Sequence, residues 1–394
     1  MANNLLESKK WYILCKELAM FHIALRILTY DKVRSLITLL GVVFAVTLIF
    51  SQIGIYLGLM QASSVLIDNT PGDIWVTSKN SRNFDFAHPI PEYMYYHALG
   101  TPGVEWAEKL IVAWNVIQQK DGSTEQIEVI GFNPDTGIGG PWRMKAGEPG
   151  AVKNGNFAIV DESATRRLGK IGIGDYKDVN RKRIQIVGIS EGVRSFTTAP
   201  LVFTSYNLAQ RLGGYISPDS TVFIIVKKLP GYSVREVVAS LQQRLSGVDV
   251  FTKEDFSFRT RMYWTIETGV GFSFLLTIII SFLVGMLIVG QTIYNSTVEH
   301  LKEFGTMKAL GAENRDIYQI IFAQAILNAL IGYVASLVIT LVSVKLYDMT
   351  GMTMVVSWQV NLMTLVLTMV MCLLAAVISI RKIRRIDPAI LFRG

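Results

Sequence analysis

Few residues in this chain have the types and spacing for chemistry, and most of those read as structure. Asp161-Glu162 is a carboxylate pair, the minimum equipment for general acid–base work. Adjacent side chains point apart, however, and an aspartate ahead of a short helix over Asp161–Leu168 is well placed to cap it. Gly169-Lys170-Ile171-Gly172-Ile173-Gly174 has the glycine content of a phosphate loop but not its Gly-Lys-Ser/Thr ending, so the expectation is a glycine turn between helix and strand. His88 and His97 lack the HExxH spacing, and there is no GxSxG elbow. Trp75, Trp106, Trp114 and Trp142 either line an apolar groove or pack a core, with core packing the default. Cys15 and Cys372 lie near opposite ends with no CxxC and no Cys/His cluster, so neither a bridge nor a structural zinc is expected. The catalytic inventory is empty, and no metal or cofactor is assigned to this chain.

One segment remains, Glu299-His300-Leu301-Lys302-Glu303-Phe304-Gly305-Thr306-Met307-Lys308-Ala309-Leu310-Gly311-Ala312. Ser296–Lys302 continues helically from an apolar run, and Gly305 and Gly311 are expected to interrupt the helix. Between them Thr306–Leu310 forms a short helix with Met307 and Leu310 apolar on one side and Lys308 polar. A short helix parallel to a membrane and bracketed by glycines is a rigid peg for a partner's groove. A plain inter-helix loop with solvated charges fits the same spacing.

The elements that must position this segment are membrane spans. Of 394 residues 51% are hydrophobic and 18% charged, below the roughly 25% of soluble domains, and the mean hydropathy is +0.37. Four stretches are long enough to cross a bilayer: Leu36–Met60, Gly269–Ile293, Ile317–Val344 and Val360–Ile380. None contains Asp, Glu, Lys, Arg or His. Basic residues concentrate in the first 35 residues (Lys9, Lys10, Lys16, Arg26, Lys32, Arg34), in the connection 294–316 (Lys302, Lys308, Arg315) and after Ile380 (Arg381, Lys382, Arg384, Arg385, Arg393). The connection 345–359 has only Lys345. By the positive-inside rule both termini and 294–316 are cytoplasmic, and the large segment 61–268 is outside. A net charge of +7 spread beside apolar runs points to topology and not to nucleic acid. No cleavable signal peptide is evident. Leu14, Leu18, Phe21, Leu25 and Leu28 recur at helical steps among lysines and arginines, giving over 1–35 a helix that either lies on the inner leaflet or packs on the spans.

Segment 61–268 is of ordinary soluble composition and reads as α+β. Strands are expected at Asp73–Val76, Lys109–Gln119, Glu125–Phe132, Phe157–Val160, Arg183–Ile189, Thr221–Lys227 and Val248–Phe251, with a helix over Ser233–Leu245. Lys120-Asp121-Gly122-Ser123 is a hairpin turn whose glycine supplies positive φ. The carboxyl end suggests a ferredoxin-like unit, and about 125–215 a more β-rich lobe. The fold class is therefore a four-helix membrane protein with an α+β extracytoplasmic domain between the first and second spans.

The run Glu-x-x-x-Glu-Phe-Gly-x-Met-Lys-Ala-Leu-Gly-Ala after the second span resembles the hallmark of the FtsX/MacB/LolC superfamily of ABC-transporter permeases, the type VII or mechanotransmission class. The ending Arg381-Lys382-Ile383-Arg384-Arg385-Ile386-Asp387-Pro388-Ala389-Ile390-Leu391-Phe392-Arg393-Gly394 resembles the same family's basic-Asp-Pro-Ala tail, most like the DevC-type branch. The layout of one span, a large external domain and three spans also matches, so the resemblance covers nearly the whole chain. A fused ATPase like that of MacB is not expected, since nothing before Leu36 is long enough and no GxxxxGK[ST] occurs, so the expectation is a permease whose ATPase is a separate chain.

The resemblance implies an inner-membrane homodimer with two copies of a separate ABC ATPase, on which ATP and Mg would be bound. Glu299, Glu303, Phe304, Gly305, Lys308, Ala309, Leu310 and Gly311 would form the segment seated on the ATPase, with Glu303 and Lys308 as polar contacts and Phe304 and Leu310 as apolar ones. Asp387 and Pro388 would end the last cytoplasmic helix near the ATPase, or act merely as a structural stop. For a DevC-like protein the further partners would be a periplasmic membrane-fusion adaptor and an outer-membrane channel, besides membrane lipids, and the cargo would be amphiphilic. Spans without ionisable groups argue against ion-coupled transport. Gly54 and Gly58 either pack the first span closely in a dimer or coincide by chance. Rival readings are a lipoprotein-releasing permease, an FtsX-like regulator of a cell-wall hydrolase, and an anchored binding protein that uses no ATPase.

Overall fold

The computed structural model describes residues 22–26, 30, 32–119, 122–193, 196–197, 199–350 and 353–383. They fall into two compact units divided at Leu57/Gly58 and Gly271/Phe272. One is drawn from both ends of the chain and is helical; the other is the α/β insertion.

In the helical unit the long elements are Lys32–Ser63, Val270–Glu299, Asn314–Thr350 and Trp358–Ile383. Each is long and apolar enough to cross a membrane, over Ser35–Ser63, Val270–Glu299, Asn314–Tyr347 and Trp358–Arg381. In lipid every backbone amide must be satisfied internally, which an apolar helix achieves. The scattered hydroxyls follow the same rule, Ser281 donating to the Thr277 carbonyl at 2.8 Å and Thr297 to Ile293 at 2.7 Å. Between spans, Ser336 Oγ donates to the Val43 carbonyl at 3.1 Å and Ser379 Oγ to Gly290 at 2.7 Å. Buried Val46, Ile49 and Phe50 of the first span share a core with Val289, Ile320, Ala325, Met371 and Ala375. Small residues permit the close crossings: a methyl on Gly285 would lie 2.4 Å from Met371 and 2.7 Å from Ala45. The expected use of Gly54 in a dimer is corrected. Its α-carbon faces the chain's own Met354, 2.9 Å from a methyl placed there, and its carbonyl accepts the Val355 N–H at 3.0 Å.

Of the expected helix over 1–35, residues 22–26 are helical, with Ala24 buried and Ile23 packed against the same core. Leu14, Leu18, Phe21 and Leu28, with Cys15, lie outside the described residues.

The α/β unit is built on twelve strands: β1 (Ile74–Ser78), β2 (Ile90–Pro91), β3 (Val104–Gln118), β4 (Thr124–Phe132), β5 (Met144–Ala146), β6 (Phe157–Asp161), β7 (Tyr176–Val179), β8 (Lys182–Ser190), β9 (Leu201–Ser205), β10 (Ser220–Thr221), β11 (Phe223–Lys228) and β12 (Val248–Thr252). Ten form one sheet in the order β12-β1-β11-β3-β4-β9-β6-β8-β5, with β7 bridging β3 and β8; β2 and β10 pair separately. All pairs are antiparallel except β4 with β9 and β6 with β8. The first four positions, β12-β1-β11-β3, together with helices Tyr93–Leu99 and Val234–Arg244 as crossovers, make a split βαβ pair. β1 is buried on both faces: Ile74 and Val76 pack under those two helices, while Trp75 turns to the opposite core against Phe223 and Phe256. β3 joins the two halves of the sheet, since Val104–Leu110 pairs with β11 and Ile111–Gln118 with β4.

Local signals agree with these elements. Ser233 and Glu236 close a capping box on Val234–Arg244. Gly122 adopts φ +83° at the β3–β4 turn, whose Lys120 and Asp121 lie outside the described residues.

Candidate functional site

The second span helix ends at Glu299, and a break at His300 (φ −84°, ψ 18°) starts a new helix, Leu301–Ala309. Glu303 stands in its first turn and Lys308 in its last, each at the end of the helix dipole that favours its charge. The His300 imidazole lies 3.4 Å from Glu303. The expected interruption at Gly305 is corrected: the helix runs through it. Tertiary packing outweighs the glycine's low propensity, because buried Phe304 and half-buried Met307 lock this helix to the core that holds Ile317, Ile320 and Ile380. Its end is a Schellman motif. The Ala312 N–H reaches the Met307 carbonyl at 2.9 Å and the Gly311 N–H reaches Lys308 at 3.0 Å, with Gly311 at φ +98°. Asp316 then opens the third span, accepting the Glu313 N–H at 3.1 Å.

This geometry sorts the expected residues. Glu299, Glu303, Gly305, Lys308, Ala309, Leu310 and Gly311 are exposed. Phe304 is 6% exposed, so its expected role as an apolar contact for a partner is corrected: it anchors the helix from within. Leu310 is 85% exposed, the most exposed large apolar side chain among the described residues. A methyl on Gly305 would meet nothing within 4 Å. Asp387 and Pro388 lie outside the described residues.

The other candidates resolve as structure. Asp161 accepts the Ser163 N–H at 3.0 Å as a cap, and its second oxygen takes the Ser190 hydroxyl (3.1 Å) and the Val193 N–H (2.9 Å). Glu162 pairs with Lys145. In the glycine loop the Gly172 N–H is already bonded to Asp175 at 2.7 Å, and Gly169 and Gly174 have positive φ. Trp75, Trp106 and Trp142 pack the core.

Sequence reasoning passed over a second cluster, at the root of the second span. The helix Lys253–Met262 is followed by a π-turn, Tyr263–Glu267, a form often found at functional positions. Arg261 donates to Asp68 (2.6 Å) and Ser64 (2.7 Å), and Ser257 donates to Asp68 (2.7 Å), which ties this helix to the short helix Val65–Asn69. Trp264 Nε1 donates to the buried Asp85 carboxylate at 3.0 Å, while Trp114 Nε1 donates to the Asp85 carbonyl at 2.9 Å. Burial pushes the Asp85 carboxyl up to about 6 despite the Trp264 bond, which favours its ionised form. The available signal was a lone aspartate between two phenylalanines, Phe84-Asp85-Phe86.

Comparison with known proteins adds two family matches. The model of the MacB-like periplasmic core domain matches residues 35–244, and that of the FtsX-like permease C-terminal region matches 263–388. An uncharacterized ABC transporter permease of Mycobacterium tuberculosis is 25% identical over 382 residues, covering 95% of this chain and 100% of the relative. A second, from Mycobacterium bovis, is 26% identical over 387 residues, with coverage of 95% and 100%. Among solved structures, the periplasmic region of MacB from Actinobacillus actinomycetemcomitans aligns at 10% identity and a TM-score of 0.39, covering 49% of this chain and 96% of that one.

Proposed function

The chain belongs to the MacB/FtsX family of ABC-transporter permeases, and on that premise we propose that it works by mechanotransmission. A separate ABC ATPase, in two copies, seats the helix Leu301–Ala309 and the exposed Leu310. Closure of the ATPases on ATP moves this helix. The first and second spans, the two that flank the α/β insertion in the chain, carry the motion to it. In this reading both termini and 299–312 face the cytoplasm, consistent with the basic residues there. The permease is a homodimer, supported by the second span, of whose most apolar stretch only 17% is buried by the chain itself. With a membrane-fusion adaptor and an outer-membrane channel, the dimer drives an amphiphilic cargo outward, in the manner of the DevC branch.

The observation that carries this reading is Leu310. An apolar side chain 85% exposed, on a helix end held rigid by Phe304 and a Schellman turn, is organised for a partner's groove. Replacing Glu303 and Leu310 together by alanine tests it. Both are exposed, so permease stability is expected to change by no more than about 0.5 kcal/mol. Co-purification with the cognate ATPase should weaken by about 2 kcal/mol or more, roughly thirtyfold, and transport-coupled ATP hydrolysis should be lost. Retention of both with a folded double variant would refute the assignment.

A further inference from the structure

The aromatic cluster around Trp264 has an outward side. Trp264 lies six residues before Val270 and eight before Phe272, where the uninterrupted apolar run of the second span begins. Eight helical residues rise about 12 Å. The turn at Gly269 (φ +74°) keeps the chain from using all of that rise, so along the chain the indole is separated from the start of the span by only a short connection. The Phe86 ring stacks on Trp114 with centroids 6.3 Å apart and meets Trp264 at 6.0 Å, yet stays 51% exposed.

Three further observations concern what this surface offers. Both indole N–H groups are turned inward to Asp85 and Phe196 stacks on Trp264 at 4.0 Å, so the outward hydrocarbon is chiefly the Phe86 ring. Val116, two residues beyond Trp114 on the same face of β3, extends the apolar surface and is 48% exposed. Lys79 and Arg82, on the loop that leads to Phe86, are both exposed, Arg82 in an exposed ion pair with Glu267 at 2.7 Å. Aromatic rings bordered by basic side chains, continuous along the chain with a span, fit the interfacial zone of a bilayer.

We propose that the loop Lys79–Phe86 and Trp264 form a foot resting in the lipid headgroups of the leaflet from which the second span leaves, so that the bilayer itself is the occupant of this face. The foot fixes the height of Phe86 at the membrane surface and holds there the segment that the Asp85 bonds tie to the root of the span.

The test places a nitroxide at position 86 (Phe86→Cys in a Cys15→Ser/Cys372→Ala background) in the full-length protein, reconstituted in nanodiscs containing phosphatidylglycerol. A second label at Tyr96, also on the α/β unit and 64% exposed against 51% for Phe86, serves as reference. The label at 86 is expected to lose accessibility to a nickel chelate relative to that at 96 and to gain accessibility to oxygen. Equal nickel accessibility at the two positions would overturn the foot. A benzophenone side chain at 86 asks the same question with an aromatic group retained. Lipid adducts support the proposal, and adducts only to protein, or none, overturn it.

Discussion

Asp85 shows how a single carboxyl can set a pH response. Its native pKa, about 6, lies above the ordinary 3.8, so the folded protein holds this proton more tightly than the unfolded chain. Stability contributed here is therefore present at low pH, falls as pH rises from about 4 to about 6, and is level above that. Asp85→Asn keeps an oxygen for the Trp264 N–H and carries no charge. The variant is expected to be more stable than the parent by on the order of 2 kcal/mol at pH 7.5, with the difference shrinking toward pH 4. Thermal unfolding of both proteins in detergent at the two pH values checks this; a gap that is constant or widens on acidification would mean that the carboxyl is not the cause. Residue-level reasoning also explains the split between Phe304 and Leu310. Six residues of helix turn through about 600°, which leaves the two side chains some 120° apart, whereas 304 and 307 are only about 60° apart. Phe304 and Met307 thus turn inward together and Leu310 does not. That arithmetic was available in the sequence; a firm anchor for the inward face was not.

At the scale of elements, regular patterns were legible and context-dependent ones were not. The spans followed from length and the lack of charge, and the helix Val234–Arg244, expected over Ser233–Leu245, from its 3.6 periodicity. β9 is a five-residue strand after a proline with only three apolar residues, Leu201–Phe203, too short a run for periodicity to separate from a buried helical turn. β7 is a short polar segment held between its neighbours β3 and β8. The π-turn at Tyr263–Glu267 has no sequence signature of its own. Gly305 misled because propensity predicts a break where packing imposes a helix. Its open surroundings make it informative: glycine in a helix interior costs about 1 kcal/mol relative to alanine, and nothing among the described residues needs the space. Gly305→Ala should therefore raise the stability of the permease in detergent slightly while weakening capture of the ATPase, measured on one preparation by unfolding and by affinity. If the alanine variant binds the ATPase with undiminished affinity, the partner does not approach the backbone there.

For the whole molecule, the distribution of lysine and arginine was the legible part, and it predicts which parts are reached from outside. Trypsin added to intact spheroplasts should cut at Lys170, in the exposed loop 169–174, and leave Lys302, Lys308 and Arg315 uncut until the cells are lysed. The opposite pattern would invert the topology. The pairing of distant segments was not legible, because it depends on long-range register. β3 is the main case: it was expected to begin at Lys109, and its first residues, Val104–Glu108, complete the β12-β1-β11 group. A fifteen-residue strand that belongs to both halves of the sheet joins them through one continuous backbone. Under the proposed mechanotransmission, torque delivered along β1 and β12 would pass through β3 toward the β8–β5 margin. On that reading, whatever grips the far margin would be turned as by a crank handle.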